Sequence, residues 1–168
     1  NLVRDYNVKQ AEQLASDIGK NNFIIPKKEV MSRLSVAATK LEKSPLVVGD
    51  AAKTAQRLIE GARKIVNENE GSGAGLLKAR KEYDAWVLSQ KPKAFDGTTE
   101  NAFTIANREV RNVFKDILDQ NAPNAKVKAS LGRQHSLYNA MDNIEPKAAI
   151  EADTAIGRAF QNMATAVG

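Results

Sequence analysis

An all-α fold is the expectation, and three features of the sequence lead to it. Alanine, the strongest helix former, occurs 25 times in 168 residues. Apolar residues recur at 3-4 spacing through most of the chain. No apolar–polar alternation of strand length is bounded by hairpin turns. Glycine and proline then punctuate the chain into six or seven amphipathic helices, arranged as a bundle or as a more extended array.

The first helix is expected over residues 3–18, with Gly19 and Asn21-Asn22 as its C-cap. Phe23, Ile24 and Ile25 link it to Pro26, which suits the first turn of a second helix over 27–43 with the face Val30, Leu34, Ala37, Ala38 and Leu41. Ser44-Pro45 reads as a capping serine followed by proline at the first helical position, so a third helix is expected from there to Glu68. Its face combines Val48, Ala51, Ala55, Leu58, Ile59, Ala62 and Val66, and the small alanines would admit a neighbouring helix closely. The run Gly71-Ser72-Gly73-Ala74-Gly75 is expected to be the most flexible stretch. It is a linker or hinge candidate dividing an N-terminal part, 1–70, from a C-terminal part, 76–168, unless the two are one continuous domain. A phosphate-cradling loop is the lesser reading, because no Gly-Lys-Ser/Thr follows and Glu68 and Glu70 would repel an anion.

A fourth helix over 76–90 carries Leu76, Leu77, Tyr83, Val87 and Leu88, and Lys91-Pro92 ends it. Trp86 and Phe95 are the expected anchors of the following loop. The fifth, over 99–121, has the clearest stripe: Phe103, Ala106, Val110, Val113, Phe114, Ile117 and Leu118, with Arg108, Arg111 and Lys115 off it. The sixth, over 125–143, carries Val127, Leu131, Leu137, Tyr138 and Met141, and Gly132 marks a kink or break. Pro146 opens a seventh with the face Ala149, Ala152, Ile156, Phe160, Met163 and Val167.

Composition excludes several chemistries. With no cysteine there is no disulfide, thiolate metal site or cysteine nucleophile, and one histidine excludes His-pair metal sites. No apolar run approaches the ~20 residues of a membrane-spanning helix. The chain opens on Asn1 rather than Met and shows no signal-peptide or Arg-rich targeting pattern, which suggests a piece of a longer polypeptide.

Net charge is +5, with 15 Lys/Arg against 11 Asp/Glu in residues 1–84 and 10 against 9 in residues 85–168. Opposite charges at i,i+4 spacing (Asp5–Lys9, Glu29–Arg33, Glu60–Lys64, Lys78–Glu82, Arg80–Asp84, Lys115–Asp119) suit solvated helix faces. Between Asp119 and Asp142 there is no acid, and Lys126, Lys128, Arg133 and His135 form a candidate phosphate or DNA contact. Aromatic residues do not interleave with these cations until Tyr138, which argues against a single-strand stacking platform.

No catalytic site is expected. Glu82/Asp84 and Glu151/Asp153 stand at i,i+2 and so point to different sides of a helix, and His135 and Ser136 are adjacent with no Asp to orient the ring. Asp84 instead lies beside the apolar stripe of the fourth helix, where Arg108 or Arg111 of the fifth could pair with it across the joint and fix register. Residues 147–167 have an apolar face, but with the flanking Asp142 and Glu145 the acids Glu151 and Asp153 outnumber Lys147 and Arg158, a net charge of −2 over residues 142–167 that argues against anionic lipid.

Three segments carry a resemblance: Leu76-Leu77 with Ala79-Arg80, Arg108 and Arg111 with Asn112, and Leu137-Tyr138 with Ala140, Asp142 and Asn143. Together they resemble a helical region of the large virion-associated proteins of tailed bacteriophages and prophages, over about half the chain and with no catalytic motif. The resemblance implies a virion component, structural or internal and ejected with the DNA. The expected function is thus a non-enzymatic helical assembly module, cofactor-free, whose partners are its own copies or other virion proteins. A basic helical module contacting nucleic acid is the alternative, and an enzyme fragment whose catalytic part lies elsewhere is the third reading.

Overall fold

The computed structural model describes residues 2–91 and 97–142, and every regular element in them is a helix: α1 (Leu2–Lys20), α2 (Lys27–Glu42), α3 (Asp50–Asn67), α4 (Gly73–Leu88), α5 (Gly97–Asn121) and α6 (Ala125–Asp142). The expected seventh helix and Phe95 lie outside the described residues.

Four of the helices form an up-down-up-down body. On α2 and α3, Lys27 Nζ donates to the Asn67 carbonyl and Arg63 Nη2 to Ser35 Oγ, so the pair is antiparallel. Asn69 against Glu82 and Gly61 against Trp86 orient α3 and α4 the same way. Asp84 against Arg111, with Arg80 near Asp119, does so for α4 and α5, and Lys40 against Glu109 with Glu29 against Asn121 for α2 and α5. The bundle is flattened along one diagonal, because α3 and α5 make the most extensive helix–helix contact among the described residues. Small residues explain that approach: α3 turns Ala51, Ala55 and Ala62 inward beside Leu58 and Ile59, and α5 answers with Ala102 and Ala106 beside Val110, Phe114 and Ile117. The other two helices, α1 and α6, run antiparallel to each other, with Asp17 beside Ser130 and Gln10 beside Arg133. A single buried cluster includes side chains of all six helices, on both sides of residues 71–75.

Several boundaries differ from expectation for local reasons. Helix α3 begins at Asp50, six residues beyond Ser44. Its N-cap is Gly49, at φ +61, a left-handed conformation that glycine adopts freely. Ser44 caps only a turn, with the Leu46 amide donating to its Oγ at 3.4 Å, and this turn places Val47 in the core. Pro26 stands at the N-cap of α2, in extended backbone, rather than inside its first turn. Gly19 lies within α1, which runs on to Lys20, and α6 runs unbroken through Gly132. Helix α4 ends at Leu88 on a Ser89 cap, before Lys91-Pro92 is reached.

The glycine run is the largest departure. Its composition predicts a loose stretch, yet Ser72, Gly73 and Gly75 are buried and α4 already starts at Gly73. An antiparallel bridge joins Ile24 to Ser72, with the Ile25 amide donating to Gly71 O at 3.0 Å and the Gly73 amide to Phe23 O at 2.7 Å. A Cβ at position 75 would lie 2.0 Å from the Glu70 carbonyl oxygen, and one at position 73 would lie 2.5 Å from the Phe23 ring. Here glycine serves close backbone approach rather than freedom.

Candidate functional site

Two polar clusters are built into helix joints. The first lies between α4 and α5. Tyr83 is fully buried against Phe114 and Trp86, with ring centroids 5.8 and 5.9 Å away, and its hydroxyl donates to Asn107 Oδ1 at 3.0 Å. Burial, and after it the charge of Asp84, pushes that phenol well above its ordinary range, against the opposing pull of Arg111. Arg111 Nε lies 3.5 Å from Asp84 Oδ1, and both side chains are largely buried, whereas Arg108 is exposed to solvent. Arg80 is buried too, so Arg80 and Asp84 do not form the solvated i,i+4 pair that their spacing suggests. The charge of Arg80 acts on Asp119 of α5. Burial raises the Asp119 carboxyl above its ordinary value, Lys115 counters that shift, and smaller effects come from Asp116, Lys128 and Arg80. On the solvent side, Lys78–Glu82 forms at 3.9 Å, and Glu60 pairs with Arg63 at 2.7 Å.

The second cluster lies between α1 and α6 and centres on Asp17, whose side chain is 1% exposed. Ser130 Oγ donates to Asp17 Oδ2, Gln13 Nε2 donates to Oδ1 at 2.9 Å, and Lys126 Nζ stands 3.6 Å from Oδ1. Burial alone would raise this carboxyl. The hydrogen bonds from Ser130 and Gln13 and the charge of Lys126 outweigh it and hold the group below its ordinary value. Arg133 completes the cluster, donating to Ser130 Oγ at 3.0 Å and to Gln10 Oε1 at 3.1 Å.

Two of the four cations read as a phosphate contact thus have partners inside the molecule: Lys126 faces Asp17, and Arg133 braces Ser130 and Gln10. Lys128 is exposed, and the His135 side chain lies outside the described residues. Asp17 is the residue that sequence reasoning missed. Its signal was present, because an acid between Leu14 and Ile18 falls on the apolar stripe of α1.

The start of α4 has no donors left for an anion. The Gly73 amide donates to Phe23 O, the Ala74 amide to Asn22 Oδ1 at 3.0 Å, the Gly75 amide to Ser72 Oγ at 3.0 Å and the Leu76 amide to Ser72 O at 2.8 Å. The hollow beside it, lined by Ile25, Lys27, Val66, Asn69 and Gly71 among others, measures about 10 Å³, room for roughly one water molecule. No group of three or more His, Asp or Glu side chains converges among the described residues. No described helix is long and apolar enough to cross a membrane. Large apolar side chains do reach solvent: Ile24 on the bridge, Val36 on α2, and Leu46 and Val48 either side of buried Val47.

The chain matches no protein-family model, no curated protein and no solved structure.

Proposed function

We propose that this chain is a non-enzymatic helical assembly module, of the kind that builds a bacteriophage virion, and that it works by packing helix faces against its own copies or partner subunits. The observation that carries this reading is the turn between α2 and α3. Leu46 is 55% and Val48 60% exposed there, either side of Val47, which is buried in the core. Two neighbouring apolar side chains on a turn tied down through Val47 form a small, preorganised contact. The pairing of Asp84 with Arg111 and the Ser72 cap of α4, by contrast, lie within helix joints and serve the register of the fold.

Light-scattering chromatography at low and high salt tests the proposal. A discrete multimer that persists in high salt, and that Leu46→Asp with Val48→Asp reduces without loss of helical circular dichroism, supports it. A monomer at every salt concentration, or a multimer indifferent to the double variant, counts against it.

The exposed cations of α6 favour a second reading, a basic module making non-specific contact with DNA, for which Lys128 and the 65% exposed Lys126 are the accessible charges. Added duplex DNA would then shift the elution volume at low salt only, and charge reversal at Lys126 and Lys128 would remove the shift.

A further inference from the structure

The six helices are unequally tied together. Helices α2–α5 each pack on at least two of the others in the body. Among the described residues, helix α1 packs mainly on α6 and lightly on α4, while α6 meets the body along α5 alone. The α1–α6 joint is partly polar, as is the α4–α5 joint with Arg80, Asp84 and Arg111, but α4 is held on α3 as well as on α5. The α1–α6 pair buries Ala11, Leu14, Ala15, Ile18, Val127 and Leu131 and sets Asp17, Ser130 and Gln134 among them. The apolar share is modest, and the remainder depends on one carboxylate finding its donors. Opening the joint returns that carboxylate and its donors to water, so the polar part resists separation less than an equal area of apolar contact would.

We infer that α1 and α6 form a clasp that opens as one unit while α2–α5 stays folded, with Asp17 and its partners Ser130, Gln13 and Lys126 as the latch. Once parted, these helices of 19 and 18 residues lose the packing of an apolar face that supplies most of a helix's stability in a protein. The opened state therefore loses helix in both segments together and uncovers the apolar stripes that had faced each other. The clasp is independent of which partner the module assembles with.

Native-state hydrogen exchange on the full chain at neutral pH tests it. The expected result is one shared protection level for the central amides of α1 and α6, below that of α3 and α5. Ser130→Ala removes a donor on α6, and exchange should quicken about tenfold or more in α1 as well as in α6, with α3 and α5 unchanged. Simple end-fraying would give protection graded along each helix and no effect of an α6 substitution on α1, and that pattern overturns the clasp. So does a single protection level across all six helices in the unsubstituted protein, a comparison that needs no variant. If Ser130→Ala does not fold, Lys126→Gln, on an exposed side chain, should quicken α1 and α6 by the same smaller factor. Unequal changes would refute the coupling.

Discussion

A carboxylate taken out of water keeps its charge only where donors replace the water it leaves. Asp17 meets that condition with Ser130, Gln13 and Lys126, and its lowered proton affinity ties folding to pH. A folded pKa below the unfolded one gives stability that is complete above the ordinary carboxylate range and is lost as pH falls through the folded value. Asp17→Asn should therefore cost about 1.5–3 kcal/mol at neutral pH and flatten the acid limb of a urea-denaturation series. An acid limb as steep as that of the unsubstituted protein would refute this role. Asp119 acts with the opposite sign, since its raised pKa disfavours the folded state above the folded value and that penalty is relieved as pH falls. Elsewhere a missing side chain decides the fit. A Cβ on Gly61 would lie 2.1 Å from the Trp86 ring, so Gly61→Ala forces the indole aside. It should destabilise by about 1–3 kcal/mol and move the emission of Trp86, the chain's only tryptophan. Unchanged emission and melting would show that the ring does not sit there.

At the scale of the elements, Gly132 offers the cleanest prediction. It lies inside α6 without a left-handed φ, and the space a Cβ would occupy there has nothing within 4 Å. Gly132→Ala should raise stability by up to about 1 kcal/mol, read as a higher melting temperature, and a lower one would contradict an unbroken α6. Helix interiors were legible in the sequence because burial repeats with the helical period. Val30, Leu34, Ala37 and Leu41 on α2, and Phe103 through Leu118 on α5, are buried as their spacing requires. Boundaries were less legible where a backbone angle decides them. Ser44-Pro45 carries the residues of a helix start, but the left-handed Gly49 sets the actual one. Glycine is ambiguous by nature, since the same missing side chain permits looseness and close contact, and only the neighbours of Gly73 and Gly75 decide between them. The α4–α5 pair could be foreseen to the extent that Asp84 lies beside an apolar stripe. The choice of Arg111 over Arg108 depends on the rotation of α5, which spacing alone does not fix. The partner of Asp17 lies 113 positions away on another helix, beyond the reach of any local pattern.

At the scale of the whole fold, the described residues form a four-helix body with one short diagonal and a lateral helix pair. Alanine on α3 and α5 shortens the diagonal, so enlarging Ala55 or Ala62 would act on the bundle as a whole rather than on one contact. The bridge between Ile24 and Ser72 has a consequence for the order in which the chain folds. The first turn of α4 is capped by Asn22 and Phe23, and the Asn22 contact spans 52 positions. Those groups reach α4 only after α2 and α3 have folded back on each other, so the start of α4 is a late event fixed by chain topology rather than by local propensity. Pulse-labelled exchange during refolding should find the Ala74 amide protected after the amides of mid-α3, and protection in the reverse order would place α4 in the folding nucleus instead.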